Sequence, residues 1–302
     1  MFTARNKGRL AIGAVAVGAA LALSGCATGN PLSQPTESAS SQTITIGSQA
    51  YYSNEIIAEI YAQALENGGF TVVRDFQIGQ RDAYLPALES GEVQLFPEYT
   101  GNLLQYYVPD TKATTSADVY AELQKSLPKG LTVLDQSSAT DQDSYNVTAD
   151  FAAANNLKSI ADLAKVTTPL TLGGNAELAD RPYGPKGLLS TYGVTVGFTA
   201  TGDTTVDDLL AGTVNIANVY SADPRIQTDK LVTLSDPKGL FLASNVVPLV
   251  NSDVAPKIAD IINAISAKLT PEGLVALNVQ STVDQKSSAD IATKWLKDNG
   301  LI

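Results

Sequence analysis

The sequence predicts an α/β protein of two units, each a largely parallel sheet with helices packed on it. Three observations predict this. Apolar strands alternate with amphipathic helices from Thr43 to Phe96, the alternation restarts after Tyr145, and the residues after Ser252 show helical spacing only.

The elements follow in order. Thr43 to Gly47 (TITIG) alternates and ends in glycine, which reads as a strand. Ser53 is positioned to cap a helix running to Asn67, with Ile56, Ile57, Ile60, Tyr61, Ala64 and Leu65 on one face and Gly68-Gly69 as its stop. Phe70 to Val73 is a second strand, Arg81 to Ser90 a second helix stopped by Gly91, and Val93 to Phe96 a third strand. A helix is expected at 117–127 and a strand at 131–134. Beyond Tyr145, helices are expected at 150–156, 159–165, 185–192 and 205–211, with strands at 170–173, 214–218 and 231–233. Val246 to Val250 is a further apolar strand, and helices at 254–268, 271–279 and 287–298 close the chain. No sequence repeat relates the two units.

Composition narrows the chemistry. Hydrophobic residues make up 44% and charged residues 17%, the balance of a folded globular chain. The net charge is −11, which argues against nucleic acid as a partner. There is no histidine, so the commonest general base, the commonest metal ligand and every Ser-His or Cys-His dyad are absent. The single cysteine, Cys26, allows neither an internal disulfide nor a thiolate zinc site. No Gly-x-Ser-x-Gly elbow, metal-spaced cluster or phosphate loop occurs. The expectation is a protein that is not an enzyme and carries no cofactor.

Residues 1–25 read as an export signal. Arg5, Lys7 and Arg9 form a basic start. Leu10 to Leu23 is apolar but shorter than the roughly 20 residues a membrane span needs, and Leu23-Ser24-Gly25-Cys26 has the form of a lipobox. Cys26 is thus expected to become an acylated N-terminus. Residues 26–42, rich in Ser, Thr, Pro, Gly and Gln, then form a flexible tether. Anchor and tether place the folded part at the extracytoplasmic face of a cell membrane.

Several blocks carry a resemblance. They are Ile46-Gly-Ser-Gln49-Ala-Tyr51, Glu59-Ile-Tyr-Ala-Gln-Ala-Leu-Glu66, Pro86-Ala-Leu-Glu-Ser-Gly-Glu92, Pro97-Glu-Tyr99-Thr-Gly101, Asp143-Ser-Tyr145-Asn-Val147, Ala217-Asn-Val-Tyr220-Ser-Ala-Asp223-Pro-Arg-Ile226 and the tail from Trp295. In this order the chain resembles the glycine betaine/carnitine/choline-binding lipoproteins of osmoprotectant ABC importers. The resemblance implies a type II periplasmic-binding-protein fold, with residues 43–146 and 247–302 in one lobe and 147–246 in the other. It implies a small-molecule ligand in the cleft between them, ABC permease subunits as partners, and action as a monomer.

It also implies a tyrosine cage. A quaternary ammonium has no N–H to donate and is weakly hydrated, so aromatic faces suit it better than a lone carboxylate. Tyr99, Tyr145 and Tyr220 match the family's blocks and sit near strand ends, where clefts in parallel sheets form. Tyr51 follows the first strand and is a further candidate. Arg181 matches an arginine that either meets a ligand carboxylate or forms a salt bridge. Gln49, Asp141 and Asp143 are candidate polar groups of the cleft. One departure stands out: where the family carries an aromatic before the second crossing, this chain has Ser244-Asn245, so Asn245 becomes a candidate hydrogen-bonding wall. That substitution leaves room for a more polar or an aromatic ligand on the same fold. A sensor lipoprotein that does not transport is the other alternative.

Overall fold

β1 (Thr43–Gln49) starts the folded chain, with side chains that alternate until Ile46 and are buried from there on. The structure, a computed structural model, describes residues 42–302. The expected signal segment, Cys26 and nearly all of the tether lie outside the described residues.

α1 (Tyr52–Asn67) leads to β2 (Thr71–Gly79), α2 (Arg81–Ser90) and β3 (Leu95–Tyr99). α3 (Thr100–Tyr107), α4 (Ser116–Ser126) and β4 (Leu131–Val133) follow. Ser53 does not cap α1. The helix begins two residues earlier than such a cap implies, at Tyr52, with Tyr51 as its flanking residue and no side-chain cap, and the Ser53 hydroxyl is buried without a partner. The start is tied instead by Asn54, whose Oδ1 accepts the Gln49 N–H at 2.9 Å and whose Nδ2 donates to the Pro97 carbonyl at 2.8 Å. One side chain thereby locks α1 to the ends of β1 and β3.

α3 has no counterpart in the sequence reading, because Gly101 in its first turn reads as a loop residue. The glycine is needed for close approach. A Cβ there would lie 2.7 Å from the Ala243 carbonyl oxygen, well inside contact distance, in the segment that runs back to the first sheet.

β5 (Asp143–Val147) opens the second half, followed by α5 (Ala149–Asn155), β6 (Thr171–Gly174), α6 (Pro185–Tyr192) and β7 (Gly197–Ala200). Then come α7 (Thr205–Leu210), β8 (Ile216–Tyr220), the short α8 (Arg225–Thr228) and β9 (Val232–Thr233). The helix expected at 159–165 is a 3₁₀ helix, Ile160–Lys165, held by a capping box between Ser159 and Asp162. β7, mostly exposed at a sheet edge, lacks the buried alternation by which strands are read. β10 (Val246–Asn251) and the helices α9 (Ala255–Ser266), α10 (Pro271–Thr282) and α11 (Ser288–Asp298) complete the chain.

The strands form two sheets of five, ordered β2-β1-β3-β10-β4 and β7-β6-β8-β5-β9. The orders correspond strand for strand. In each sheet three parallel strands are followed by one antiparallel strand, β10 or β5, then by the last strand. The antiparallel strand is in each case the one by which the chain enters that sheet from the other half. All of β5 pairs with β8 and β9, so the chain crosses before Asp143 rather than after Asn146.

Apolar clusters cover both faces of the first sheet. α1, α9, α10 and α11 pack on one side through Ile57, Ile60, Ile258, Leu274 and Ile291, and α2, α3 and α4 on the other through Leu85, Leu103 and Leu123. The second sheet is covered likewise, by a cluster around Leu172 and Leu188 and another around Val206 and Val219. Among the described residues no helix is long and apolar enough to cross a membrane.

Candidate ligand-binding site

The C-terminal ends of β1, β3 and β8 face one another across the two halves, and the residues just beyond them enclose a cavity. Tyr51 follows β1, Tyr99 ends β3 and Tyr220 ends β8. Tyr183, in the loop before α6, adds a fourth ring. Two rings thus come from each half. The Tyr51 and Tyr220 rings meet across the division with centroids 5.1 Å apart and planes tilted by 51°.

Tyr99 is held in place by the most buried charge pair of this half. Glu98 is completely buried. It accepts Arg81 Nε at 2.9 Å, Arg81 Nη2 at 2.8 Å, the Tyr84 hydroxyl at 2.5 Å and the Tyr99 N–H at 2.7 Å. Burial works against the Arg81 charge, but Glu98 beside it more than offsets this, and the guanidinium pKa stands well above its ordinary value. A buried carboxylate with this many donors is an orienting device. The Pro-Glu-Tyr-Thr-Gly block can be read from it: Glu98 anchors, Tyr99 lines the cavity, Thr100 starts α3 and Gly101 admits the returning chain.

Two carboxylates lie on the cavity wall. Asp143 Oδ2 accepts Asn102 Nδ2 at 2.6 Å, and Oδ1 accepts Asn218 Nδ2 at 2.9 Å. Asp141 Oδ2 accepts the Tyr51 hydroxyl at 3.2 Å, and Oδ1 accepts the Ala222 N–H at 3.0 Å. Burial pushes the Asp141 carboxyl up to about 7, with Asp223 and Asp143 adding to the effect and the two hydrogen bonds opposing it. Burial also raises the four cavity phenols above their ordinary value, so all four stay protonated at neutral pH. Arg181 and Glu177 bring one further charge of each sign to the wall. Arg181 has no salt-bridge partner among the described residues.

Of the residues singled out from the sequence, Gln49, Tyr51, Tyr99, Asp141, Asp143, Arg181 and Tyr220 line this cavity. Tyr145 and Asn245 do not. Tyr145 is fully buried in the second half, packed edge-on to Phe241 with centroids 5.0 Å apart, and it donates its hydroxyl to the Tyr183 carbonyl. It supports the loop that presents Tyr183. Asn245 is consumed by the crossing: Oδ1 accepts the Ser116 hydroxyl at 2.6 Å and Nδ2 donates to the Ser137 carbonyl at 3.0 Å. Tyr183, Asn102, Asn175 and Asn218 escaped the sequence reading. Asn218 was within reach, since it precedes Tyr220 by two positions in a strand and so shares its face. Among the described residues no group of three or more His, Cys, Asp or Glu side chains is placed to hold a metal ion.

Two sheet-bearing halves, two chain crossings and a cavity between them define a substrate-binding protein of the periplasmic-binding-protein type. The family described as the substrate binding domain of ABC-type glycine betaine transport systems matches residues 42–298, and the chain belongs to it. It is 28% identical over 288 residues to the glycine betaine-binding protein YehZ of Escherichia coli K12, covering 89% of this chain and 94% of that one. It is 27% identical over 287 residues to the glycine-betaine-binding protein of Pseudomonas aeruginosa, covering 87% and 90%. In fold it is similar to the crystal structure of a glycine betaine/carnitine/choline ABC transporter component, with a TM-score of 0.70 at 20% identity over 86% of this chain and 98% of that one. The chain is accordingly a substrate-binding component of ABC-type osmoprotectant transport.

Proposed function

We propose that the cavity captures a quaternary ammonium osmoprotectant, of the kind represented by glycine betaine, choline or carnitine, and presents it to the permease subunits of an importer. The observation that carries this reading is the set of four tyrosines, Tyr51, Tyr99, Tyr183 and Tyr220, around one cavity with Asp141 and Asp143 in its wall. Desolvated ring-to-cation contacts contribute about 2 kcal/mol each. Three or four of them give about 6–8 kcal/mol before the cost of ordering the ligand, so micromolar binding, which corresponds to about 8 kcal/mol, also draws on the polar groups of the wall.

In this reading residues 43–142 and 246–302 form one lobe and residues 143–245 the other. The lobes close on the ligand through the crossings at 134–142 and 234–245. The protein works as a monomer on the extracytoplasmic face of the membrane, held by acyl chains on Cys26. The basic, apolar and Leu-Ser-Gly-Cys order of residues 1–26 supports that anchor. Cys26→Ala is expected to move the protein from the membrane fraction to the soluble fraction, and retention in the membrane would refute the anchor.

A thermal-shift screen tests the ligand class. Saturation at 100 times Kd adds about 2.7 kcal/mol to stability. Glycine betaine, choline and carnitine are expected to raise the unfolding midpoint, whereas sugars and uncharged amides leave it unchanged. The amides Asn102, Asn175 and Asn218 in the wall favour, as a second reading, a more polar ligand. A midpoint raised by polar compounds and by no quaternary ammonium would select that reading.

A further inference from the structure

A second and larger chamber, of about 390 Å³, lies against the cavity. Its size falls within the roughly 300–1,000 Å³ of small-molecule pockets. The rings of Tyr51 and Tyr220, which meet across the two halves, belong to the walls of both spaces. They therefore form a partition, with the cavity on one side and the chamber on the other. Tyr52 is on the chamber side only, its ring edge-on to Tyr51 with centroids 4.8 Å apart. A row of three rings, Tyr52, Tyr51 and Tyr220, thus runs along the chamber wall.

The unbalanced charge of this wall has one sign. Glu55, Asp203 and Asp223 bring three carboxylates, against the single cation of Arg225. Arg225 is already spent: Nε donates to Asp229 and Nη2 to Asp207, each at 2.7 Å, and neither of those acids is in the wall. Glu55 accepts the Ser288 hydroxyl at 2.8 Å and Gln77 Nε2 at 2.5 Å, both neutral donors that leave its charge unmatched. Asp223 Oδ1 accepts only a backbone N–H, that of Arg225, at 2.8 Å. Neither Asp203 nor Asp223 forms a salt bridge among the described residues. A cleft lined by one sign of charge concentrates the opposite ion. Aromatic faces in the same wall suit a weakly hydrated organic cation.

We propose that the chamber is a second binding site, outside the Tyr51–Tyr220 partition, for organic cations that carry a net positive charge. The cation lies on the row of rings with Asp203 and Asp223 beside it. Selection here is by net charge: choline fits, whereas a betaine with the same trimethylammonium group brings its own carboxylate towards three others. An ion held in the chamber has only the ring pair between it and the cavity, so the site also gathers cations at the cavity's edge. This site is separate from the one proposed above and does not depend on which compound the cavity takes.

Methyl NMR of the full protein follows the two spaces separately, because Val206 lines the chamber alone and Leu178 the cavity alone. In a titration with choline the Val206 signal is expected to shift with a midpoint of its own, on the order of millimolar, as a few desolvated ring contacts support. Added salt is expected to raise that midpoint. Asp203→Asn combined with Asp223→Asn, which keeps an acceptor for the Arg225 N–H, is expected to raise it by roughly threefold and the Leu178 midpoint by less. Choline's uncharged isostere, with a tert-butyl group in place of trimethylammonium, is expected to give no separate Val206 phase. A Val206 signal that stays still, or that follows Leu178 at one common midpoint, overturns the inference. So does a Val206 midpoint that ignores salt and both acids, or an isostere that matches choline. The salt series and the isostere need only the parent protein, so poor folding of the variant does not shield the proposal. A Leu178 signal that ignores every quaternary ammonium would instead remove the reading of the cavity, and a Val206 response beside it would leave the second site in place.

Discussion

Glu98→Gln isolates the buried ion pair that orients Tyr99. Each Glu98 oxygen serves two donors: Oε1 takes Arg81 Nε and the Tyr84 hydroxyl, and Oε2 takes Arg81 Nη2 and the Tyr99 N–H. Glutamine keeps the shape but replaces one oxygen with an amide nitrogen. Whichever way the amide turns, two donors then face another donor, and the Arg81 charge stays buried without its counterion. Leaving one member of a buried pair unpaired costs about 3–5 kcal/mol. At about 2–4 °C per kcal/mol for a chain of this size, the unfolding midpoint is expected to fall by about 6–20 °C. Thermal unfolding followed by far-UV circular dichroism measures this without ligand, and urea unfolding checks that the slope m is unchanged. A loss below about 1 kcal/mol at constant m would refute the reasoning. The companion Arg81→Met, Glu98→Leu removes both charges together and is expected to recover most of the lost stability. A double variant as unstable as Glu98→Gln would show that the unpaired charge is not the cause.

Other perturbations separate ligand contact from support. The folded-state pKa of Asp141, about 7, lies above the ordinary carboxylate value near 3.9, so the native state holds this proton more tightly than the unfolded chain. Its contribution to stability is therefore fully present at low pH and is lost as pH rises from about 4 to about 7. Asp141→Asn is expected to flatten that slope and to be more stable than the parent at pH 8; midpoints across this range that match the parent's would contradict the assignment. Tyr220→Ala is expected to weaken betaine binding by about 1–2 kcal/mol with little change in unfolding midpoint, as calorimetry and melting curves would register. Tyr145→Ala, at a fully buried position off the cavity, is expected to cost about 3–5 kcal/mol of stability. Equal stability of the two variants would remove the distinction between wall and support.

The parts of the fold that sequence makes legible are those where one local rule suffices. β1, α1, α2 and the C-terminal helices follow from apolar period, and Gly91 ends α2 in the left-handed conformation that its position requires. Legibility fails where a residue answers to a distant partner. Gly101 looks like a loop residue until Ala243 is seen against it, and Ser53 looks like a cap until Asn54 is seen to tie the helix start. Motif position pointed to Tyr51, Tyr99 and Tyr220, all of which line the cavity. It also pointed to Tyr145 and passed over Tyr183: both rings pack on Phe241, and only the fold shows that Tyr145 spends its hydroxyl on the Tyr183 carbonyl while Tyr183 reaches the cavity. Asn245 shows the same limit, since its partners Ser116 and Ser137 lie more than a hundred residues away along the chain.

The strand order also constrains how the protein is made. β4 pairs only with β10, and β10 is also the antiparallel neighbour of β3. As the chain is delivered N-terminus first to the side of the membrane where it folds, Leu131–Val133 therefore has no sheet partner until Val246–Asn251 has emerged. The second sheet suffers no such delay, because all its strands lie between Asp143 and Thr233. The later-synthesised half can reach its native pairing first, while the earlier half waits as an open three-stranded edge. A nascent chain halted before Val246 should thus contain a folded middle and a protease-sensitive beginning, the reverse of the usual N-terminal-first order.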